Sequence, residues 1–559
     1  MAARHCIAAP SHDGTLTDVR AKPTLRRAVT PWGSFSWGYS DVGADIFVGL
    51  GLVLGAAAGA SNVAFLFAGL VYVCIGLAYT ELAATYPVAG GGQYFVMRGL
   101  GDVFGFIAGW AVLLDFTIDI TLFAWSCVDY LGQLMPVFSL TAHPWVHFLC
   151  AFGLIASLCL LNVIGVREST TFNGVVSALD VVSETSILFF GFLFAFNPDL
   201  LIHTMTVFWP STNHLLLGAS LAIISFVGLE SISQAAQETQ RPASIIPRTS
   251  IALILTILVY ALAYSNLALG MIPAHPVPPD AHGHAQAFFQ YLGSTANQGS
   301  AVAVLAANVP FFGALAALYV PILGAVLLLI SSNSGVFGAS RIAYAMSRSR
   351  LLPSAFERVN RTYRTPAVSI IVFCVVALSV LVFAAMPSLN PHASALYLRF
   401  FHGEAGLDVL ADLYAFGAAT SYSFVFVALI ALRFNDPLSP RKFRIPFNIP
   451  LRFRGERVLF PVVGVLGFAG IFSILIFTMI THPIGRVAGP LWLVFGIVGY
   501  FFYRRRKRLP IVGSRPIDWP RQQITILKEA GELELMDEYI EKLRARGRMP
   551  ETLVAGEPP

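Results

Sequence analysis

The first long apolar segment of the chain carries acids and glycines where a simple membrane anchor would have leucine. The stretch Tyr39–Gly51 holds two aspartates, Asp41 and Asp45, and three glycines. A charge at the bilayer centre costs about 2.5–3.5 kcal/mol on insertion scales, and a glycine costs about 1 kcal/mol relative to alanine inside a helix. Such a segment is either a broken helix that lines a cavity or a segment that does not cross a membrane.

The composition decides between these two interpretations. Hydrophobic residues make up 56% of the 559 residues and charged residues only 12%, about half the charged share of a soluble domain. The mean hydropathy is +0.70. At about 20 residues for each membrane-spanning helix, the chain has room for about twelve helices. We therefore predict an all-α polytopic protein embedded in a lipid bilayer.

Twelve apolar segments, called spans 1 to 12 below, are predicted from the sequence. They cover residues 35–58, 61–86, 103–135, 145–164, 174–196, 214–236, 250–272, 311–338, 366–386, 408–433, 459–480 and 488–503. Every second connection is rich in arginine and the run Arg504 to Arg508 follows span 12, whereas the other connections hold only Arg399 and Arg486. Because basic loops stay inside, we expect both termini in the cytoplasm and the protein in the plasma membrane of a prokaryote.

The two ends of the chain are predicted to be cytoplasmic tails. Residues 1–29 are polar, residues 30–508 form the transmembrane domain, and residues 509–559 form a hydrophilic tail with one or two amphipathic helices.

The six cysteines are scattered and indicate neither a disulfide framework nor a metal site. The net charge of +5 is explained by inner loops. The sequence therefore predicts no cofactor, no metal and no nucleic acid, and it has no nucleophile–base arrangement typical of an enzyme.

Acidic residues occur in pairs one helical turn apart inside two other spans. Asp115 and Asp119 share one face of span 3, and Asp180 and Glu184 share one face of span 5. Span 5 has no lysine or arginine inside it to pair with its acids. We predict that Asp115, Asp119 and Glu184 carry protons or couple an ion, because acids within membranes mark such paths. Asp41 and Asp180 lie near span ends, where contact with lipid headgroups is an equal alternative.

Span 6 has an interruption similar to that of span 1. The run Ile223–Ser233 places Gly228 next to Glu230 and several hydroxyl groups, deep in an apolar segment. Interrupted segments at corresponding positions of two five-helix halves are typical of an inverted-repeat transporter with its site at the midplane. Unwinding frees backbone groups that hydrocarbon cannot satisfy, whereas a bound substrate or ion can satisfy them.

The residues around span 6 resemble a known family. Phe226–Glu230, followed by Gln237–Pro242 and Ile245–Arg248, closely resembles the sixth-helix signature of the amino acid–polyamine–organocation superfamily. The other stretches similar to this family are Tyr86-Pro87 with Gly90–Tyr94, Ser332-Asn333 with Ala339–Arg348 and Leu352-Pro353, Arg364–Pro366, and Leu413–Gly417 with Leu432–Phe434. The resemblance covers about residues 30–505 in the family's order.

This resemblance implies a LeuT-like fold of ten core helices in a 5+5 inverted repeat, plus two extra helices. It implies that backbone N–H groups at a break in span 1 hold a substrate carboxylate, and that span 6 supplies carbonyls to an ammonium group. The predicted substrate-binding residues are Asp41, Gly43, Ala44, Asp45, Phe226, Val227, Gly228 and Glu230. Asp45 stands where the family more often has glycine, so it would repel a carboxylate unless it is protonated or turned aside. Trp110, Phe116 and Tyr414 are weaker candidates for lining the pocket.

The resemblance and the acidic interior together favour a secondary active transporter. We expect it to move an amino acid or amine with protons, by alternating access, with the acids favouring a positively charged substrate. Uptake of potassium or another monovalent cation remains an alternative, because potassium-uptake members are similar at Asp45 and at Asp115–Thr117. A nutrient sensor without transport activity is the alternative from another class.

Overall fold

The fold was analysed in a computed structural model, which describes residues 27–549 except 28, 89, 166–169, 281, 361, 391–405 and 513–516. Its helices are α1 Pro31–Ala57, α2 Ser61–Thr85, α3 Gly91–Leu100, α4 Asp102–Leu134, α5 Pro144–Ile164, α6 Thr170–Phe194, α7 Pro198–Val207, α8 Thr212–Leu221, α9 Glu230–Ala235, α10 Pro242–Gly270, α11 Phe288–Leu292, α12 Ala301–Ala307, α13 Gly313–Arg348, α14 Ala367–Leu389, α15 Leu407–Asn435, α16 Val462–Thr481, α17 Gly485–Arg506, α18 Trp519–Glu529 and α19 Leu533–Ala545. Two strands, β1 Asn448–Phe453 and β2 Glu456–Pro461, form an antiparallel hairpin.

The helices confirm the prediction of an all-α polytopic membrane protein. Within the described residues, 11 segments are long and apolar enough to cross a membrane. The first, Pro31–Thr85, has 55 residues, and as one straight helix it would be about 80 Å long. It divides at a 3₁₀ turn, Ala58–Ala60, that begins with Ala58 at φ 45°. The predicted spans therefore correspond, in order, to α1, α2, α4, α5, α6, α8 with α9, α10, α13, α14, α15, α16 and α17.

Span 1 is not broken, and the prediction of a break there is wrong for this structure. Helix α1 runs without interruption from Pro31 to Ala57. Its glycines allow close packing: a Cβ atom at Gly51 would lie 2.2 Å from the backbone oxygen of Gln298, and one at Gly49 would lie 1.9 Å from the Ser225 hydroxyl. Small residues let membrane helices approach one another in this way.

Span 6 is broken at the predicted place. Helix α8 ends at Leu221, a 3₁₀ turn covers Ala222–Phe226, and α9 starts at Glu230. Between them Val227 is extended, and Gly228 has φ 105°, a conformation that glycine adopts at little cost. The break lies beside the middle of α1, because α1 packs against both the 3₁₀ turn and α9.

The two tail helices pack against one end of the bundle. Gln523 of α18 is fully buried, accepts a hydrogen bond from Arg98 at 2.8 Å and donates one to the Thr85 carbonyl at 2.9 Å. Arg27 donates to the Glu529 carbonyl at 2.7 Å. This end also carries the last arginine run, and we call it the basic face. The predicted amphipathic segment is therefore held by specific hydrogen bonds at the basic face.

A buried ion pair joins α2 to α15 at the basic face. Glu81 is fully buried and lies 2.6 Å from an Arg433 nitrogen, and it also accepts a hydrogen bond from the Ile445 amide at 2.9 Å. Arg441 approaches it at 3.4 Å. Removing one partner of a buried ion pair leaves the other charge without compensation, which costs far more than the pair itself contributes.

We expect Glu81→Ala to lower the free energy of unfolding by about 3–5 kcal/mol, because two arginines lose their buried partner. The thermal unfolding midpoint of the purified protein in detergent measures this. Glu538→Ala is the control: it breaks an ion pair with Lys542 whose side chains are 48% and 40% exposed, and such exposed pairs contribute little. Equal unfolding midpoints for the two variants would contradict the role assigned to Glu81.

Candidate substrate site

The acids predicted in spans 1, 3 and 6 meet in the interior of the bundle. Asp45 of α1 has Asp119, Asp41, Asp115 and Glu230 as its charged neighbours. All five side chains belong to residues that are at most 5% exposed. We call these residues the acid cluster. Three separate helices, α1, α4 and α9, contribute to it, so that the charges meet only in the folded chain.

Several oxygens of the acid cluster have no hydrogen-bond partner among the described residues. Both carboxylate oxygens of Asp45 lack such a partner, and so do Oδ1 of Asp115 and Oδ2 of Asp119. The other oxygen of Asp119 accepts a hydrogen bond from the Tyr414 hydroxyl at 3.3 Å. Buried polar atoms are nearly always paired, so these oxygens are candidates for binding a proton, water or a positively charged group.

The break in span 6 is tied to the acid cluster through a tyrosine of α15. The Tyr422 hydroxyl donates to Glu230 Oε2 at 2.6 Å and accepts from the Gly228 amide at 3.4 Å. A Cβ atom on Gly228 would lie 3.1 Å from Asp41 Oδ2. The predicted residues Asp41, Gly228 and Glu230 are therefore adjacent, and Gly228 leaves the room in which the Asp41 carboxylate sits.

A stacked pair of aromatic rings includes Tyr72, which has Asp45 as its charged neighbour. Phe226, predicted at the break, stacks on Tyr72 of α2 with 5.0 Å between ring centroids. The Tyr72 hydroxyl is buried, has no partner among the residues described, and has Asp45 as its electrostatic neighbour. Aromatic faces next to carboxylates attract ammonium groups. Sequence reasoning missed Tyr72, because span 2 contains three tyrosines and the sequence does not show which of them faces Asp45.

Of the three weaker candidates for lining the pocket, only Tyr414 contacts the acid cluster. Tyr414 reaches the acid cluster through Asp119. Trp110 does not, because its ring stacks on Trp492 of α17 at 4.8 Å and the two indoles donate to each other's backbone. The ring of Phe116 packs on Gly338 of α13, where a Cβ atom would lie 2.7 Å away. Both rings therefore fill helix interfaces.

The acid pair of span 5 forms a separate cluster with α1. The Tyr39 hydroxyl lies 3.0 Å from Asp180 Oδ2 and 2.6 Å from Glu184 Oε2. Asp180 and Glu184 are fully buried. Contact of Asp180 with lipid headgroups is therefore ruled out, and Asp41, at 5% exposure, is likewise inside the protein.

Among the described residues, no group of three or more histidines, cysteines or acids is placed to hold a metal ion.

A polytopic helical bundle with a broken span and an acid cluster at its centre defines a membrane transport protein rather than an enzyme. Its sequence matches the amino acid permease family over residues 30–503. The chain belongs to that family, which confirms the superfamily resemblance predicted from the sequence.

Individual relatives differ in the substrate that their names specify. The chain is 26% identical over 498 residues to a branched-chain amino acid permease of Bacillus subtilis, covering 85% of this chain and 93% of that protein. It is 24% identical over 482 residues to the methylthioribose transporter of Bacillus subtilis, covering 84% and 91%. It is 26% identical over 412 residues to the vacuolar cationic amino acid transporter 4 of Arabidopsis thaliana, covering 71% and 62%.

We expect Gly228→Ala to displace the Asp41 carboxylate and to lower the unfolding midpoint, because φ 105° is strained for alanine and its Cβ would lie 3.0–3.2 Å from Val42 and Asp41. Substrate uptake into proteoliposomes should fall at least tenfold. Gly153→Ala is the control, because a Cβ there meets nothing within 4 Å, and it should retain both properties. Normal uptake by Gly228→Ala would show that the break can relax without loss.

Proposed function

We propose that this permease is a secondary active transporter that moves an amino acid or amine together with protons, by alternating access. The observation that carries the proposal is Asp45, whose two carboxylate oxygens are fully buried without partners among the described residues. It lies among other acids and beside Tyr72. A positively charged substrate group at this position would satisfy oxygens that are otherwise costly to bury.

A cationic amino acid or amine is the substrate that this arrangement favours. Asp41, Asp45 and Glu230 supply negative charge, and Phe226 with Tyr72 supplies aromatic faces for an ammonium group. A branched-chain amino acid, the substrate named for one relative, has no charged side chain to place beside these acids. The cationic amino acid transporters among the relatives fit the acids better.

The substrate carboxylate is held differently from the usual pattern in this proposal. Gly43, Ala44 and Asp45 lie inside a continuous helix, where backbone N–H groups point to carbonyls four residues earlier. Asp45 therefore contacts the substrate with its side chain, whereas the Cβ position of Gly43 faces the Tyr39 ring at 3.1 Å. The open backbone at Val227 and Gly228 is where the substrate finds polar backbone groups.

Protons are the proposed coupling ion, carried by Asp115, Asp119 and Glu184. Asp115 has Glu230 and Asp119 as its main charged neighbours, so that a proton on one acid favours ionisation of the next. We also infer that both termini face the cytoplasm, because the basic face carries the arginine-rich connections.

Monovalent-cation uptake is the second candidate, because the unpartnered oxygens of Asp45, Asp115 and Asp119 are hard ligands of the kind that bind alkali cations. Proteoliposomes given labelled lysine, leucine, putrescine or rubidium, each with and without a pH gradient, separate the two. We expect lysine or putrescine uptake to respond to the gradient. Uptake of rubidium alone would refute the amino acid proposal, and binding of a ligand without uptake would support a sensor.

We expect Asp119→Asn to abolish uptake driven by a pH gradient while leaving exchange of labelled for unlabelled substrate, because the amide cannot carry a proton. The rates of gradient-driven uptake and of substrate exchange are measured in proteoliposomes that contain equal amounts of each variant. Asp280→Asn, in an exposed loop, is the control and should transport normally. An Asp119→Asn variant with unchanged pH dependence would refute the role of Asp119 as proton carrier.

We expect Asp45→Gly to shift preference from cationic toward zwitterionic amino acids, because it removes one negative charge beside the aromatic pair. Competition of unlabelled lysine and leucine against labelled substrate gives the preference. A matched Asp45→Asn variant, which keeps the side-chain volume, should shift it in the same direction. An unchanged profile in both variants would leave Asp45 a structural residue.

A further inference from the structure

The hairpin between α15 and α16 has no part in the proposed transport site. Strands β1 and β2 pair in antiparallel register, with Ile449 opposite Phe460 and Leu451 opposite Val458. They form a two-stranded sheet, and an isolated hairpin of this size is marginally stable in water. This hairpin is not isolated, because Phe434 of α15 contacts the rings of Phe453 and Phe460 and Arg433 donates to the Leu459 carbonyl at 3.3 Å. It nevertheless leaves apolar side chains of β1 exposed.

The membrane surface is close to the hairpin by continuity of the chain. Strand β2 ends at Pro461, and α16, which is long and apolar enough to cross the membrane, begins at Val462. The Val462 amide donates to the Phe447 carbonyl at 3.1 Å and so closes the base of the hairpin onto the start of the span. No linker separates the two, so the hairpin lies at the level where α16 enters the bilayer.

The hairpin presents a row of exposed apolar side chains. Phe447, Ile449, Leu451 and Phe453 are 77%, 51%, 41% and 39% exposed. Ile449, Leu451 and Phe453 are alternate residues of β1 and therefore point to the same side of the hairpin, and Phe447 directly precedes the strand. Apolar side chains exposed in this way are costly in water but suit the interfacial region of a bilayer.

The charges of the hairpin have one sign. Residues 444–461 hold Arg444, Arg452, Arg454 and Arg457, all exposed, and a single acid, Glu456. Glu456 is already paired with Arg546 of the tail at 2.9 Å. The tip carries Arg454 at φ 51° and Gly455 at φ 80°, a two-residue turn in which asparagine or glycine is the usual first residue. The turn thus keeps an arginine where a smaller residue would be less strained.

We propose that this hairpin binds anionic phospholipids of the membrane, with its apolar row among the acyl chains and its arginines on the lipid phosphates. Arginine binds phosphate oxygens with two parallel hydrogen bonds, and each basic residue near an anionic surface adds about fivefold to the affinity. A partner protein or a second copy of the chain would instead bring acidic side chains, and the experiment below separates these occupants from lipid.

Hydrogen exchange of residues 444–461 tests the proposal with the full chain in nanodiscs. We expect exchange to slow at least fivefold when about 30% phosphatidylglycerol replaces phosphatidylcholine, and the effect to shrink in about 0.5 M salt. The variant R452Q/R454Q/R457Q should lose the dependence on phosphatidylglycerol. The variant R452K/R454K/R457K should retain most of it, which separates loss of charge from loss of the hairpin fold.

The control variant R348Q/R350Q/R358Q removes three arginines from another connection, where Arg348, Arg350 and Arg358 are also exposed, and should keep the full lipid effect. Equal exchange in the two lipids would overturn the proposal, as would an effect that survives in the glutamine variant. Protection that depends on the number of copies in each disc, and not on lipid charge, would show that a second copy covers the hairpin and would also overturn it.

Discussion

Acids buried without basic partners are the constraint on which the rest of this structure depends. An isolated ionised carboxylate in a low-dielectric interior is costly unless it is paired or neutralised. Asp45 meets neither condition within the described residues, because its neighbours are other acids and both its oxygens lack hydrogen-bond partners. Such a residue is stable only where a proton, a water molecule, an ion or a substrate group compensates for its burial.

The acids at the basic face have the opposite arrangement. Asp102 lies 2.6 Å from Arg504, Glu81 lies 2.6 Å from Arg433, and Asp436 lies 2.8 Å from Arg98. Burial alone would raise the pKa of Asp436, but Arg98 and Arg441 lower it below its usual value. The chain thus contains two kinds of acid. Those at the basic face are paired with arginines and hold helix ends together, whereas those of the acid cluster have other acids as their charged neighbours. Pairing separates the structural acids from the candidate functional ones.

The number of spans and the break in span 6 could be predicted, because both follow from local composition. The continuity of span 1 could not. Its glycines have the same local signature as Gly228, but Gly49 and Gly51 face Ser225 and Gln298, which are far away in the sequence. A glycine that ends a helix and one that admits a neighbouring helix look alike until the neighbour is known. Tyr72 and Tyr422 were missed for the same reason, since packing decides which tyrosines face the acids.

Tyrosine hydroxyls connect the acids to other helices, and their chemistry limits how many acids can be ionised together. Tyr39 of α1 lies within hydrogen-bond distance of both Asp180 and Glu184 of α6. A hydroxyl has one proton to donate, so it satisfies one of these carboxylates at a time. Loss or gain of a proton by the pair therefore changes which contact holds α1 to α6.

The same reasoning extends to α15, where Tyr414 donates to Asp119 and Tyr422 to Glu230. These two hydroxyls join one helix to α4 and to the broken span 6. Protonation of Asp119 would weaken one of the contacts without touching the other, because a neutral carboxyl is a poorer acceptor than a carboxylate. A change of charge at the acid cluster would thus alter contacts between helices, which is what the proposed coupling of proton binding to alternating access requires.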